Sequence, residues 1–73
     1  MFERVKEILS YYVEGYEITP DSDFMADLKM LSLEIVDFII DLEKEYGIRI
    51  PEKKLAKVKT VQQMIDLVES LKK

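Results

Sequence analysis

Apolar residues return at intervals of three and four along most of this 73-residue chain, and that rhythm points to one fold class. A helix turns once every 3.6 residues, so the spacing gathers side chains into a stripe that must be buried against another helix. Alternation of the sheet-forming kind is confined to Ile48 and Ile50 around Arg49, and Pro51 ends it. A short extended connection is expected there, not a strand. Phe2, Val5, Leu9 and Tyr12, with Ile8 and Val13 beside them, predict a first helix over about residues 2–13, with Glu3, Arg4, Lys6 and Glu7 on its other face. Gly15 stops it. From Glu14 to about Leu31 the chain carries turn and cap chemistry, with Gly15, Thr19-Pro20-Asp21 and Ser22-Asp23. This is a long loop, expected to be pinned to the core by Ile18, Phe24, Met25 and Leu28.

Ser32 to Tyr46 is helical again, with Gly47 as its cap. Pro51-Glu52 suits the first turn of a short helix ending near Ala56, and Thr60-Val61-Gln62-Gln63 matches a capping box ahead of a last helix. In that helix Val61, Met64, Ile65, Val68 and Leu71 form the buried stripe, with Leu67 at its border. The expectation is an all-α protein: a single domain over residues 1–73, built as a small four-helix bundle of three main helices and one short one, with a long loop between the first two.

The residues that are missing narrow the function. There is no Cys and no His, which removes disulfides, thiolate nucleophiles, cysteine-type zinc sites and the usual neutral-pH base. A domain of this size buries only ~60% of the surface its unfolded chain exposes, leaving little room for a large active site. No catalytic residue and no metal ligand set is assigned. Eleven basic against fifteen acidic side chains leave a net charge of −4, which disfavours nucleic acid and anionic membranes and favours basic protein partners. Uninterrupted apolar runs stop at two or three residues, far from the ~20 that span a bilayer. Met1-Phe2-Glu3-Arg4-Val5 lacks the apolar core of a signal peptide, so a cytoplasmic protein without membrane insertion is expected, and a monomer is expected as well.

The middle helix carries more apolar surface than a bundle needs. Ile35, Ile39, Leu42 and Tyr46 share one side, with Phe38 at its edge, and a second group of Leu33, Val36 and Ile40 lies roughly 130° away. Glu34, Asp37, Glu43 and Lys44 border that second group. Both groups can be core, since a central helix has neighbours on two sides; the second can equally be a partner-facing patch in a mostly acidic rim. The pattern alone is compatible with either.

Asp27-Leu28-Lys29-Met30-Leu31-Ser32-Leu33-Glu34 resembles the Asp-Leu-Gly-x-Asp-Ser-Leu-(Asp/Glu) segment of the acyl carrier proteins. The likeness continues through Asp41-Leu42-Glu43-Lys44-Glu45-Tyr46-Gly47-Ile48-Arg49-Ile50-Pro51 and resumes at Val58-Lys59-Thr60-Val61-Gln62, with Phe24 upstream. Two departures stand out: Leu31 where the family usually has Asp before the serine, and Lys29 where Gly is usual. Lys44 also interrupts an otherwise acidic stretch. They mark a specialised or divergent carrier.

The resemblance implies that Ser32 is the attachment point of 4′-phosphopantetheine, transferred from coenzyme A by a phosphopantetheinyl transferase, and that the arm's thiol carries acyl groups as thioesters. Ser32 is then an anchor and not a nucleophile, which suits a chain with no His to activate it. The plain alternative for the residue is an ordinary serine N-cap. Leu33, Glu34, Val36, Asp37, Ile40 and Glu43 are implied to form the docking surface for acyl-loading and acyl-accepting enzymes with basic faces. Phe24, Leu28, Ile35, Ile39, Leu42, Ile50, Val58 and Ile65 are implied to supply the acyl groove, although each is also a core residue. Leu55 and Met64 stand where small residues are common in the family, which implies a shallower or differently shaped groove. Cargo on such arms serves fatty-acid, lipid or polyketide-type biosynthesis; an aminoacyl carrier and an unmodified interaction module are the alternatives. An EF-hand starting at Asp21 would place Ala26 where Gly is needed and Ser32 where Glu is needed, so none is expected.

Overall fold

Helical spacing becomes four helices in the computed structural model, which describes residues 1–72 and so leaves Lys73, the last residue of the expected domain, outside it. They are α1 (Phe2–Leu9), α2 (Ser32–Tyr46), α3 (Glu52–Leu55) and α4 (Val61–Leu71), and no strand forms among the described residues. α1 packs against both α2 and α4. The expected first helix is shorter than its apolar pattern: after Leu9 the chain tightens into turns, with Tyr11 and Tyr12 amides donating to the carbonyls three residues back and Val13 to Leu9 O. Val13 therefore stays buried although the regular helix has ended.

The buried set comes from most of the chain but not from α3: Val5, Ile8 and Leu9 from α1, Ile18, Phe24, Leu28 and Met30 from the loop, Phe38 and Leu42 from α2, Ile50 from the connection after it, and Val61, Met64, Ile65 and Val68 from α4. Phe38, expected at the edge of its stripe, is at the centre, with no exposed surface and the rings of Phe24 and Tyr12 at 5.8 and 6.2 Å. Ile35 and Ile39 are half-buried at the margin. A methionine expected to pin the loop is also displaced: Met25 is 55% exposed, because the turn that buries Phe24 and Leu28 points the next side chain outward.

The long loop is ordered by its own polar side chains. Asp23 Oδ1 accepts from the Met25 and Ala26 amides at 2.9 and 2.8 Å, while Asp27 Oδ2 accepts from the Asp23 amide at 2.7 Å. The Ala26 and Met25 amides hold the Asp23 carboxyl below its ordinary value. Ser22 is buried, and its Oγ accepts from the Thr19 amide at 2.9 Å. The loop then reaches the start of α4, where Phe24 N–H donates to Lys59 O and Val61 N–H to Ser22 O, both at 3.0 Å. Thr60 lies in this bridge and also caps α4: its Oγ1 accepts from Gln63 N–H, and Gln63 Oε1 accepts from Thr60 N–H at 3.0 Å. The capping box read from the sequence forms as expected.

Two polar links reach α2, an exposed one from α1 and a half-buried one from the turns that follow it. Arg4 donates to Glu45 at 2.7 Å and also pairs with Glu7, and Tyr12 donates its hydroxyl to Asp41. Exposed ion pairs of the first kind contribute little. At the far end Gly47 ends α2 in the left-handed conformation, φ 63°, which glycine adopts without the Cβ clash.

Lys29 has the same left-handed backbone, φ 58°, and pays the Cβ penalty that Gly avoids. The glycine usual at this position in the resembled segment thus has a physical reason. Lys29→Gly relieves about 1–2 kcal/mol of strain and returns about 0.5–1 kcal/mol of backbone entropy to the unfolded chain. A net gain of about 0.5–1 kcal/mol is expected, visible in thermal melts as a Tm a few degrees higher; a Tm that falls contradicts the strain.

The hydrogen bond to Asp41, with burial adding to it, pushes the Tyr12 phenol from 10.0 up to about 12. The folded chain therefore keeps a proton that the unfolded chain loses above pH 10, so this contact stabilises fully below pH 10 and its contribution is lost as pH rises toward 12. Urea melts at pH 9 and 11 are expected to show a steeper alkaline loss in the native chain than in Tyr12→Phe, and equal losses refute the coupling.

Candidate functional site

The start of α2 is capped in an unusual way. Its N-cap is Leu31, whose side chain has no atom able to accept a hydrogen bond, so only the reciprocal half of a capping box exists: Glu34 Oε1 accepts from Leu31 N–H at 2.8 Å. Ser32 is the first helical residue and not the cap, and it is exposed. The amides of Ser32, Leu33 and Glu34 precede the first intrahelical donor, Ile35 N–H to Leu31 O at 3.0 Å, and have no helical carbonyl to bond. The serine hydroxyl thus stands in water beside unpaired amides at the positive end of a fifteen-residue helix, a setting suited to phosphate.

The second apolar stripe of α2 faces outward. Leu33 is 79% exposed, Val36 50% and Ile40 41%, and Leu31, 69% exposed, lies just ahead of them at the helix start. They are exposed because the burial of Phe38 and Leu42 turns the opposite face of the helix to solvent. Asp37 shares this exposed side. The other two carboxylates expected on the docking surface are committed to the backbone: Glu34 to Leu31, and half-buried Glu43 through Oε2 to the Ile50 amide at 2.7 Å. Glu43 closes the turn after Gly47, a role that its position in the acidic stretch did not signal.

On the inner margin of α2 lies an apolar cavity of about 130 Å³, lined by Phe24, Met25, Ile35, Ile39, Leu55, Val58, Lys59 and Met64. Of the residues expected to line an acyl groove, Phe24, Ile35, Ile39 and Val58 meet here. Leu28, Leu42, Ile50 and Ile65 do not line it; they are buried in the core. Burial alone does not separate the two sets, since Phe24 and Met64 line the cavity and are as buried as Leu28 and Ile65; what differs is which side of the packed core each faces. Leu55, Met64, Met25 and Lys59 complete the wall; the first two are the residues expected to alter the shape of the groove, while no such expectation attaches to Met25 and Lys59. In the loop, Asp23 and Asp27 turn their carboxylates onto loop amides.

Comparison with known proteins agrees with this geometry. The protein-family pattern described as "Phosphopantetheine attachment site" matches residues 3–68. The chain is 40% identical over 70 residues to the acyl carrier protein of Petrotoga mobilis, covering 93% of this chain and 82% of that one. It is 36% identical over 72 residues to the acyl carrier protein of Coprothermobacter proteolyticus, with 96% and 88% covered, and 33% identical over 72 residues to that of Lactobacillus acidophilus, with 96% and 90% covered. The chain belongs to the acyl carrier protein family. It is a non-catalytic carrier whose cofactor is a covalently attached 4′-phosphopantetheine, and whose partners include a phosphopantetheinyl transferase and acyl-handling enzymes. An exposed serine at the start of α2, flanked by unpaired amides, fits that group. No helix among the described residues is long and apolar enough to cross a membrane.

The apolar cap makes a stability prediction. An Asp at the N-cap accepts a first-turn amide and complements the helix dipole, so Leu31→Asp is expected to stabilise the fold by about 1 kcal/mol. Thermal denaturation is then expected to shift upward by about 4–8 °C. An unchanged midpoint shows that Glu34 alone already satisfies the helix start.

Proposed function

We propose that Ser32 carries the 4′-phosphopantetheine arm, and that the chain is one carrier domain acting as a cytoplasmic monomer. It delivers acyl groups to enzymes of fatty-acid, lipid or polyketide-type synthesis. The observation that carries the reading is the setting of Ser32, an exposed hydroxyl on the first residue of α2, about one turn before Ile35 of the apolar cavity. When attached, the arm supplies the thiol that holds the cargo as a thioester.

The chain's own residues do the rest. Unpaired amides of the first turn and the positive end of the helix stabilise phosphate at Ser32. Leu33, Val36 and Ile40 offer an apolar docking stripe, and Asp37, with Glu34 and Glu43 as partial contributors, gives its border a negative sign for enzymes with basic faces. Phe24, Ile35, Ile39 and Val58 shelter the acyl chain, while Leu28, Leu42, Ile50 and Ile65 belong to the packed core. A cavity of this size is comparable to the ~150 Å³ apolar voids that hold a benzene-sized guest. Each further methylene buried gains ~0.8 kcal/mol, set against parting close-packed walls, so the resting form suits a short apolar segment and a longer chain widens it.

Intact-mass spectrometry after incubation with coenzyme A, Mg²⁺ and a phosphopantetheinyl transferase tests the assignment. A gain of about 340 Da is expected, lost in Ser32→Ala and kept in Ser22→Ala. No gain with any transferase, including one from the same organism, assigns the chain to unmodified interaction work instead.

A further inference from the structure

The charge of this protein is divided unevenly. Residues 49–59 hold Arg49, Lys53, Lys54, Lys57 and Lys59, five of the eleven cations, and only Glu52 of the fifteen acids, a local charge of +4 that leaves −8 on the rest. All five cations are exposed, and none forms an ion pair among the described residues, where Arg4 is the cation paired. The apolar members of the same segment point the other way: Ile50 is buried, and Leu55 and Val58 are half-buried in the cavity wall.

We propose that this basic segment is a second docking surface, opposite in sign to the acidic side of α2, and that it receives an acidic protein face of an acyl-handling partner. Three observations favour a protein over a lipid surface or nucleic acid. No large apolar side chain of the segment is exposed to anchor in a bilayer. The remaining −8 repels an extended polyanion, whereas a partner of limited acidic area meets the lysines alone. The segment also adjoins the cavity, since Leu55, Val58 and Lys59 line it, so whatever docks there sits at the cargo's edge. That last consequence rests on the carrier reading; the surface itself does not.

The two signs are separated by the bundle. Asp37 lies about 160° around α2 from Ile35 and Ile39, the residues that share the cavity with Leu55 and Val58. One partner surface is therefore drawn to the Leu33–Ile40 side and another, or another part of the same enzyme, to residues 49–59. Lys59 also lies close enough to Asp23 to act on its carboxyl, so Arg49, Lys53, Lys54 and Lys57 carry most of the outward charge.

Residue-resolved NMR titration of the whole chain with an oligoglutamate peptide tests the surface. Shifts confined to residues 49–59 are expected, weakening steeply as NaCl rises from about 20 to about 300 mM. Affinity is expected to fall at least about tenfold in the combined Lys53→Glu, Lys54→Glu and Lys57→Glu variant, and by less in the matching Gln variant, which leaves no reversed charge to perturb folding. Both variants should still gain the phosphopantetheine mass at Ser32. The proposal is overturned if residues 49–59 do not shift, if the variants bind equally well, or if vesicles with about 30% phosphatidylglycerol bind the chain more tightly than the peptide does. It is also overturned if the shifts instead track protein concentration, which assigns the segment to a second copy of the chain. Failure of Ser32 to be modified in the native chain counts against the carrier reading and leaves the peptide result as it stands.

Discussion

Phe38 is the residue on which the arrangement turns. It is fully buried, and its ring meets Phe24 from the loop and Tyr12 from the turns after α1, so one side chain of α2 holds three segments that are remote in sequence. Aromatic pairs of this geometry add about 0.5–1.5 kcal/mol beyond the area they bury, a large fraction of what a chain this small has to spare. They also set the rotation of α2. With Phe38 and Leu42 inward, Leu33, Val36 and Ile40 can only face water, and Ile35 and Ile39 come to rest on the margin where the cavity opens.

The loop completes what Phe38 begins. Phe24 can reach the core because Asp23 and Asp27 fold the chain into a local turn and because Ser22 and Phe24 bond to both sides of Thr60. The wall of the cavity is thereby assembled from the loop, α2, the end of α3 with the segment after it, and α4. The same path forces Lys29 into a backbone conformation that favours glycine and delivers an apolar residue, Leu31, to the helix start. Both departures from the resembled segment thus fall on the few residues that lead into Ser32.

Much of the fold was legible beforehand. Gly47 at the end of α2 and the Thr60–Gln63 capping box at the start of α4 are local signals, set by hydrogen bonds within a few residues, and each formed as read. The end of α1 was less legible because Tyr12 and Val13 keep the apolar spacing after the helix has given way to tighter turns. Met25 and Leu28 look alike in the sequence, yet one is exposed and the other buried, since the local turn decides which face each takes. Of the eight residues expected around the groove, four line the cavity and four are buried elsewhere in the core, a distinction of placement that no periodicity records.

The sequence by itself determined the class: helical spacing left a bundle, and the segment around Ser32 carried the family resemblance, in a chain with no Cys thiol of its own. It also reported one net charge of −4, which conceals a basic and an acidic part. Only the tertiary structure decided which of the two apolar stripes on α2 faces outward, that Glu34 and Glu43 bond to the backbone, and that residues 49–59 border the cavity. The reason is physical. Composition and periodicity are sums over a chain or a helix, whereas burial, depth and the meeting of side chains depend on how the helices rotate against one another, and that is settled by packing around Phe38.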